Sequence, residues 1–98
     1  MQKVKRIVDK KYLEWIKRLP CLLCQCPSEP HHIPKENDAA LGKKTDDTRA
    51  IPLCHMHHMI YHNKGRQTFK EEYKMDYEYV ISELNRIWRE RCHAMKSM

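Results

Sequence analysis

The sequence predicts a small α+β domain with helices at both ends and a middle of short strands and turns. Three observations predict it. Apolar residues recur every three or four positions near each end, the periodicity of an amphipathic helix. Pro20, Pro27, Pro30, Pro34 and Pro52 cut the middle into short extended pieces. The same middle gathers cysteine and histidine in paired short spacings: Cys21-Leu22-Leu23-Cys24, then His31-His32, then Cys54-His55-Met56-His57-His58-Met59-Ile60-Tyr61-His62.

The first helix is expected over residues 4–19, where Val4, Ile7, Val8, Tyr12, Trp15, Ile16 and Leu19 form one stripe and Pro20 stops it. Lys3, Lys5, Lys10, Lys11 and Lys17 then face outward, to solvent or to DNA. Residues 20–34 should be knuckle, turn and short extended pieces. Residues 35–48 are polar, contain Gly42, and are expected to form a surface loop; Ala50-Ile51-Pro52-Leu53 is a brief strand. A helix starting near Cys54 or His55 should end at Gly65. Thr68-Phe69-Lys70-Glu71 has the form of a capping box and should open another short helix. Asp76 can cap the last one, whose core stripe is Tyr77, Val80, Ile81, Leu84, Ile87, Trp88 and Met95.

Ninety-eight residues form one small domain whose interior is too modest to rely on apolar burial alone. A structural metal would compensate, since zinc in small finger peptides contributes about 10–16 kcal/mol coupled to folding. The cysteine count of five is odd, and three of them fall into the metal-ligand spacing. No apolar stretch resembles a signal peptide or a membrane span, so a reducing, cytoplasmic setting without a membrane partner is expected. The net charge of +6, from 19 Lys+Arg against 13 Asp+Glu, favours a polyanionic partner.

Cys21, Cys24, Cys54 and His57 supply a closed zinc set as C-x-x-C plus C-x-x-H. That leaves His31, His32, His58 and His62. On a helix His58 and His62 stack one turn apart on a side adjacent to that of Cys54 and His57, which suits a second ion. His55, three before His58, could compete for it. In a regular strand His31 and His32 point to opposite faces, so His31 could join His58 and His62 while His32 stays metal-free as a general base.

The order C-x-x-C, His-His, loop, short strand, then C-x-x-H-His-x-x-x-His resembles an HNH endonuclease of the ββα-metal, or His-Me finger, class with a zinc knuckle. His31-His32-Ile33, Gly42-Lys43-Lys44-Thr45-Asp46-Asp47, Ile51-Pro52-Leu53-Cys54, His57-His58 and His62-Asn63-Lys64-Gly65 are together similar to the Ref-type phage recombination nucleases. The resemblance implies a zinc knuckle and ββα core over residues 20–65, flanked by the N-terminal helix and by C-terminal helices over 68–95. It implies that His31, His58 and His62 hold a catalytic divalent ion, Mg or Mn, although three imidazoles favour transition metals. It implies that His32 activates water, that the structural zinc sits on Cys21, Cys24, Cys54 and His57, and that hydrolysis leaves 5′-phosphate and 3′-hydroxyl ends. The partner would be DNA, read without strong sequence preference, in phage recombination or processing directed by a recombination filament or a phage protein. Lys43, Lys44, Lys64 and Arg66 flank the motif as candidate phosphate contacts.

Two departures stand out. The middle Asn of the motif has no clear counterpart, and Asp47 is the candidate for its bracing role or for orienting His32 through the ring N–H. Only a short basic helix precedes the knuckle, where a long DNA-binding arm would serve filament-directed cutting. The alternative function is a noncatalytic zinc module that binds nucleic acid or protein, with both metals structural. A zinc hydrolase of the H-E-x-x-H class is disfavoured because that signature is absent.

Overall fold

A computed structural model describes residues 6–35 and 45–96. Among them are four α-helices, α1 (Lys10–Arg18), α2 (His55–Lys64), α3 (Arg66–Tyr73) and α4 (Tyr77–Lys96), and two strands, β1 (Glu29–His32) and β2 (Ala50–Leu53). The strands pair antiparallel, with Glu29 opposite Leu53 and His32 opposite Ala50. The architecture is therefore small α+β, and β1, β2 and α2 follow one another in chain order. Both strands are edges, so each tolerates its proline, Pro30 and Pro52.

The N-terminal helix is shorter than its periodicity predicts. It begins at Lys10, with the Asp9 side chain accepting from Tyr12 N–H at 3.0 Å. Ile7 and Val8 lie ahead of it and are exposed. The reason is a competing set of bonds: Ile7 N–H donates to Asp46 Oδ1 at 2.7 Å, Asp9 N–H to Asp47 Oδ2 at 2.9 Å, and Asp47 N–H to Ile7 O at 2.9 Å. The segment is bonded to the Asp46-Asp47 turn instead of to itself. Val4 lies outside the described residues.

Tyr12, Trp15 and Ile16 of α1 pack against the sheet and α4, where Trp88 meets Trp15 and Tyr12 with ring centroids 5.4 and 5.9 Å apart. A single 3₁₀ turn, Asp47–Arg49, leads into β2. It corrects the end of the expected surface loop, because Asp47 is buried; Arg49, the residue after that loop, is buried too. Arg49 donates to Ile33 O at 2.8 Å and grips the Glu78 carboxylate with both terminal nitrogens, tying α4 to the end of β1. Asn85 Nδ2 donates to Thr48 O at 2.8 Å and secures the same turn.

Helix α2 runs from the Cys54 N-cap to Gly65, whose φ of 90° is open to glycine and costly for other residues. The expected capping box at Thr68 does not form: α3 starts at Arg66 directly after Gly65, so Thr68 is already inside it. Buried Phe69, whose N–H donates to Gly65 O at 3.0 Å, sets that start. Asp76 caps α4 by accepting from Tyr79 N–H at 3.1 Å. Along α4 Tyr77, Ile81 and Leu84 are buried, whereas Ile87 is partly exposed. No helix of the described residues is long and apolar enough to cross a membrane.

Candidate metal centre

The C-x-x-C turn is shaped by its own backbone. Cys21 N–H donates to Cys26 O at 2.8 Å, Gln25 N–H to Cys21 O at 3.0 Å, and Gln25 takes a left-handed φ of 66°. Leu22 N–H donates to Pro52 O at 3.1 Å, which lays this knuckle along β2 just before Cys54. Cys54 then starts α2, and His57 on its first turn points back to the cysteines. Cys54 Sγ lies 3.2 Å from His57 Nδ1, Cys21 Sγ 3.6 Å from the same nitrogen, and Cys24 Sγ 3.6 Å from Cys54 Sγ.

The two 3.6 Å separations fit one tetrahedral ion and the 3.2 Å one is slightly short of it, since zinc bonds of about 2.3 Å to sulfur and 2.0–2.1 Å to nitrogen place neighbouring ligand atoms roughly 3.4–3.8 Å apart. All four donor atoms fall within 4.8 Å of one another, so the group could hold a metal such as zinc. Burial works against a Cys21 thiolate, but backbone N–H groups of Cys54, Leu23 and Cys24 outweigh it and bring that thiol down to about 6. Cys54 is held up overall, because burial and the neighbouring sulfurs overcome the help of the His57 backbone N–H. Cys26 is exposed and outside the four.

A second group, His31, His58 and His62, also gathers within 4.8 Å. Strand alternation produces it: Glu29 and His31 share the face of β1 turned to α2, while His32 points away. His58 Nε2 and His62 Nε2 are 2.9 Å apart, and the His31 ring centroid lies 4.1 Å from that of His58 and 5.4 Å from that of His62. His31 is almost wholly buried, stacked edge-on to Tyr61 at 4.3 Å, and neither of its ring nitrogens has a hydrogen-bond partner. A bond from one of these nitrogens to an ion would satisfy that nitrogen, so the buried ring fits a ligand's place. Burial, reinforced by the neighbouring imidazoles, pushes His31 down to about 3, so it stands neutral with a lone pair to give.

Glu29 was not singled out by the sequence. Its Oε1 lies 2.6 Å from His58 Nδ1, and the His58 hydrogen bond holds its carboxyl below the usual range. An ionised carboxylate only accepts, so His58 carries its proton on Nδ1 and turns Nε2 to His31 and His62. An acid two residues before a ligand histidine on a strand is the signal that could have found it. His55 does not join the group; its mostly exposed ring leans on Glu29 Oε1 at 3.5 Å.

His32, partly exposed, places Nε2 2.9 Å from Asp47 Oδ1. Asp47 also accepts from Asp9 N–H, and Arg6 Nη1 lies 3.7 Å from Oδ1. Burial would raise the Asp47 carboxyl, but the His32 bond, the Asp9 N–H and the Arg6 charge prevail and hold it below the usual range. Of the other expected residues, Lys64 is bound by the Glu72 carboxylate at 2.7 and 3.0 Å, and Arg66 is half-buried with Nη1 on Pro34 O. Lys43 and Lys44 lie outside the described residues.

Fold and sites thus define a small α+β protein with a group of three cysteines and a histidine that could hold zinc, and beside it an all-histidine group able to hold a second ion. The chain belongs to the DUF968 family, described as proteins of unknown function, whose profile matches residues 1–89. It is 31% identical over 87 residues to the uncharacterized protein YdfU of Escherichia coli (strain K12), a match covering 88% of this chain and 25% of that protein. The chain therefore spans about a quarter of the length of this relative. No solved structure matches significantly.

Proposed function

We propose that this chain is a metal-dependent DNA endonuclease of the HNH type, with a ββα-metal core formed by β1, β2 and α2. One observation carries the proposal: adjacent residues of one strand face two different partners, His31 the His58–His62 pair and His32 the Asp47 carboxylate. That division separates a ligand from a base. The phage or recombination setting is carried by the resemblance of the spaced motifs alone.

His31, His58 and His62 would hold the divalent ion, Mn or Mg; the unpartnered nitrogens of His31 and the facing Nε2 atoms of His58 and His62 fit it. Bound there, it would supply Lewis-acid stabilisation of charge developing on the phosphate. The rest is done by side chains. Asp47 is ionised and can only accept, so His32 donates Nε2–H to it and keeps a lone pair on Nδ1. Nδ1 accepts the proton of the attacking water as its oxygen bonds to phosphorus and the P–O3′ bond breaks; the 3′ oxygen takes a proton from solvent, and Asp47 stabilises the imidazolium that results. Asp9 and Arg6 keep Asp47 in place. Glu29 fixes the His58 ring, and zinc on Cys21, Cys24, Cys54 and His57 would anchor the start of α2.

The test is cleavage of supercoiled plasmid and of single-stranded DNA by zinc-loaded protein, with Mg, with Mn and with neither, beside His32→Ala. Ion-dependent cleavage that falls by about 10²-fold or more in the variant, with fold and metal content unchanged, supports the base. No cleavage under any divalent ion, in protein carrying two tightly held zincs, would replace the proposal with a noncatalytic nucleic-acid or protein-binding module.

A further inference from the structure

Beyond the two metal-ligating groups, the described residues form a cleft of about 260 Å³ lined by Lys35, Arg66, Lys70, Asp76, Tyr77 and Glu78. Its three cations meet two carboxylates, and both carboxylates are engaged elsewhere. Glu78 is gripped by the buried Arg49 guanidinium, with Arg66 and Lys35 bearing on it more weakly, and Asp76 caps α4 through Tyr79 N–H. Lys35 and Lys70 are exposed, and among the described residues neither ammonium has a hydrogen-bonded carboxylate. Lys64 differs, since Glu72 neutralises it.

Arg66 is the fixed element of the cleft. Its Nη1 donates to Pro34 O, its guanidinium lies 5.0 Å from the centroid of the Tyr77 ring, and Tyr77 Oη donates to its backbone oxygen at 2.8 Å. A planar fork held in advance between two flexible ammonium groups suits a phosphate. The cleft is linked to the histidines through Pro34 and Tyr61. Pro34 is two residues past His32, and Tyr61, edge-on to His31 at 4.3 Å, lies near enough to Arg66 for the guanidinium charge to act on its hydroxyl.

We propose that this cleft is a subsite for a backbone phosphate of the nucleic acid strand cleaved at His32. It rests on the nuclease reading given above. Phosphate contacts position a strand without selecting its sequence, so the subsite sets register and not base preference.

Binding of a short labelled duplex by zinc-loaded protein without added divalent ion, followed by fluorescence anisotropy across a salt series, tests it. Every cation removed from a phosphate should make the slope of log Kobs against log salt shallower by about 0.9, so the Lys35→Gln/Lys70→Gln double variant should flatten it by about 2. Arg91→Gln removes an exposed charge roughly 20 Å further along α4 and should leave the slope unchanged. A double variant that keeps the wild-type slope overturns the subsite, while plasmid cleavage by wild type shows separately whether the nuclease reading stands. If calorimetric titration with inorganic phosphate shows binding to wild type that the double variant loses while its duplex binding is intact, the subsite is also overturned, in favour of a free anion. Wild-type protein that neither binds nor cleaves DNA sinks both.

Discussion

Removing the Glu29 carboxylate should weaken the second metal site without disturbing the first. Glu29 Oε1 sits 2.6 Å from His58 Nδ1, and this one bond determines which nitrogen of His58 faces His31 and His62. Without it the neutral ring can carry its proton on Nε2, the nitrogen now 2.9 Å from His62 Nε2, and is free to rotate. Partners of this kind typically contribute 10- to 100-fold in metal affinity, about 1.4–2.8 kcal/mol. Glu29→Gln keeps an acceptor but loses the charge, so it should lie near tenfold; Glu29→Ala should approach a hundredfold. Mn(II) titration of zinc-loaded protein by calorimetry reads this directly, with His62→Ala as the variant that lacks a ligand. The side chain is substantially exposed, so both variants should fold and retain zinc. Mn affinity in Glu29→Ala within twofold of wild type would refute the orienting role.

Cys24→Ser should strip zinc and with it most of the fold, because the roughly 10–16 kcal/mol that such a metal contributes exceeds or matches the about 5–15 kcal/mol by which domains are stable. Zinc content after dialysis and near-ultraviolet circular dichroism check this; a folded, zinc-replete variant would contradict it. His31 makes the protein without its second ion acid-sensitive. Its folded value of about 3 lies below the ordinary 6.5, so from pH 6.5 downward the unfolded chain takes up a proton that the folded chain refuses. Stability present above pH 6.5 is lost at up to about 1.4 kcal/mol per pH unit as pH falls. His31→Phe lacks this loss and should gain on wild type between pH 6.5 and 5 in urea melts; parallel profiles would show that His31 does not carry it.

What was legible in the sequence is whatever repeats at short range. Cys21 and Cys24, Cys54 and His57, and His58 and His62 are joined by turn or helix geometry, so their spacing alone announces which side chains can meet. Gly65 and Asp76 end and begin helices for equally local reasons. The misplaced start of α1 shows the limit: its stripe continued into Ile7 and Val8, but partners 38 and 39 residues away, Asp47 and Asp46, claimed that backbone. Glu29, Arg49 with Glu78, and the pairing of Lys35 with Lys70 across a cleft are of the same kind. Each depends on strand register or helix docking, which no local pattern encodes.

The two candidate metal groups are joined by a single peptide bond. His57 and His58 are consecutive on α2, and a rotation of about 100° per residue sends one ring to the cysteines and the other to His31. The knuckle fixes both ends of this arrangement, because Leu22 is bonded to β2 while Cys21 and Cys24 meet Cys54 and His57 at the start of α2. An ion there would set the angle at which α2 leaves the sheet, and so where His58 and His62, one turn further on, stand against β1. A domain of this size has little apolar core with which to hold such an angle unaided. With an ion bound, the group of Cys21, Cys24, Cys54 and His57 would thus be more than a staple for a small fold: it would be the fulcrum that aims the second set of histidines.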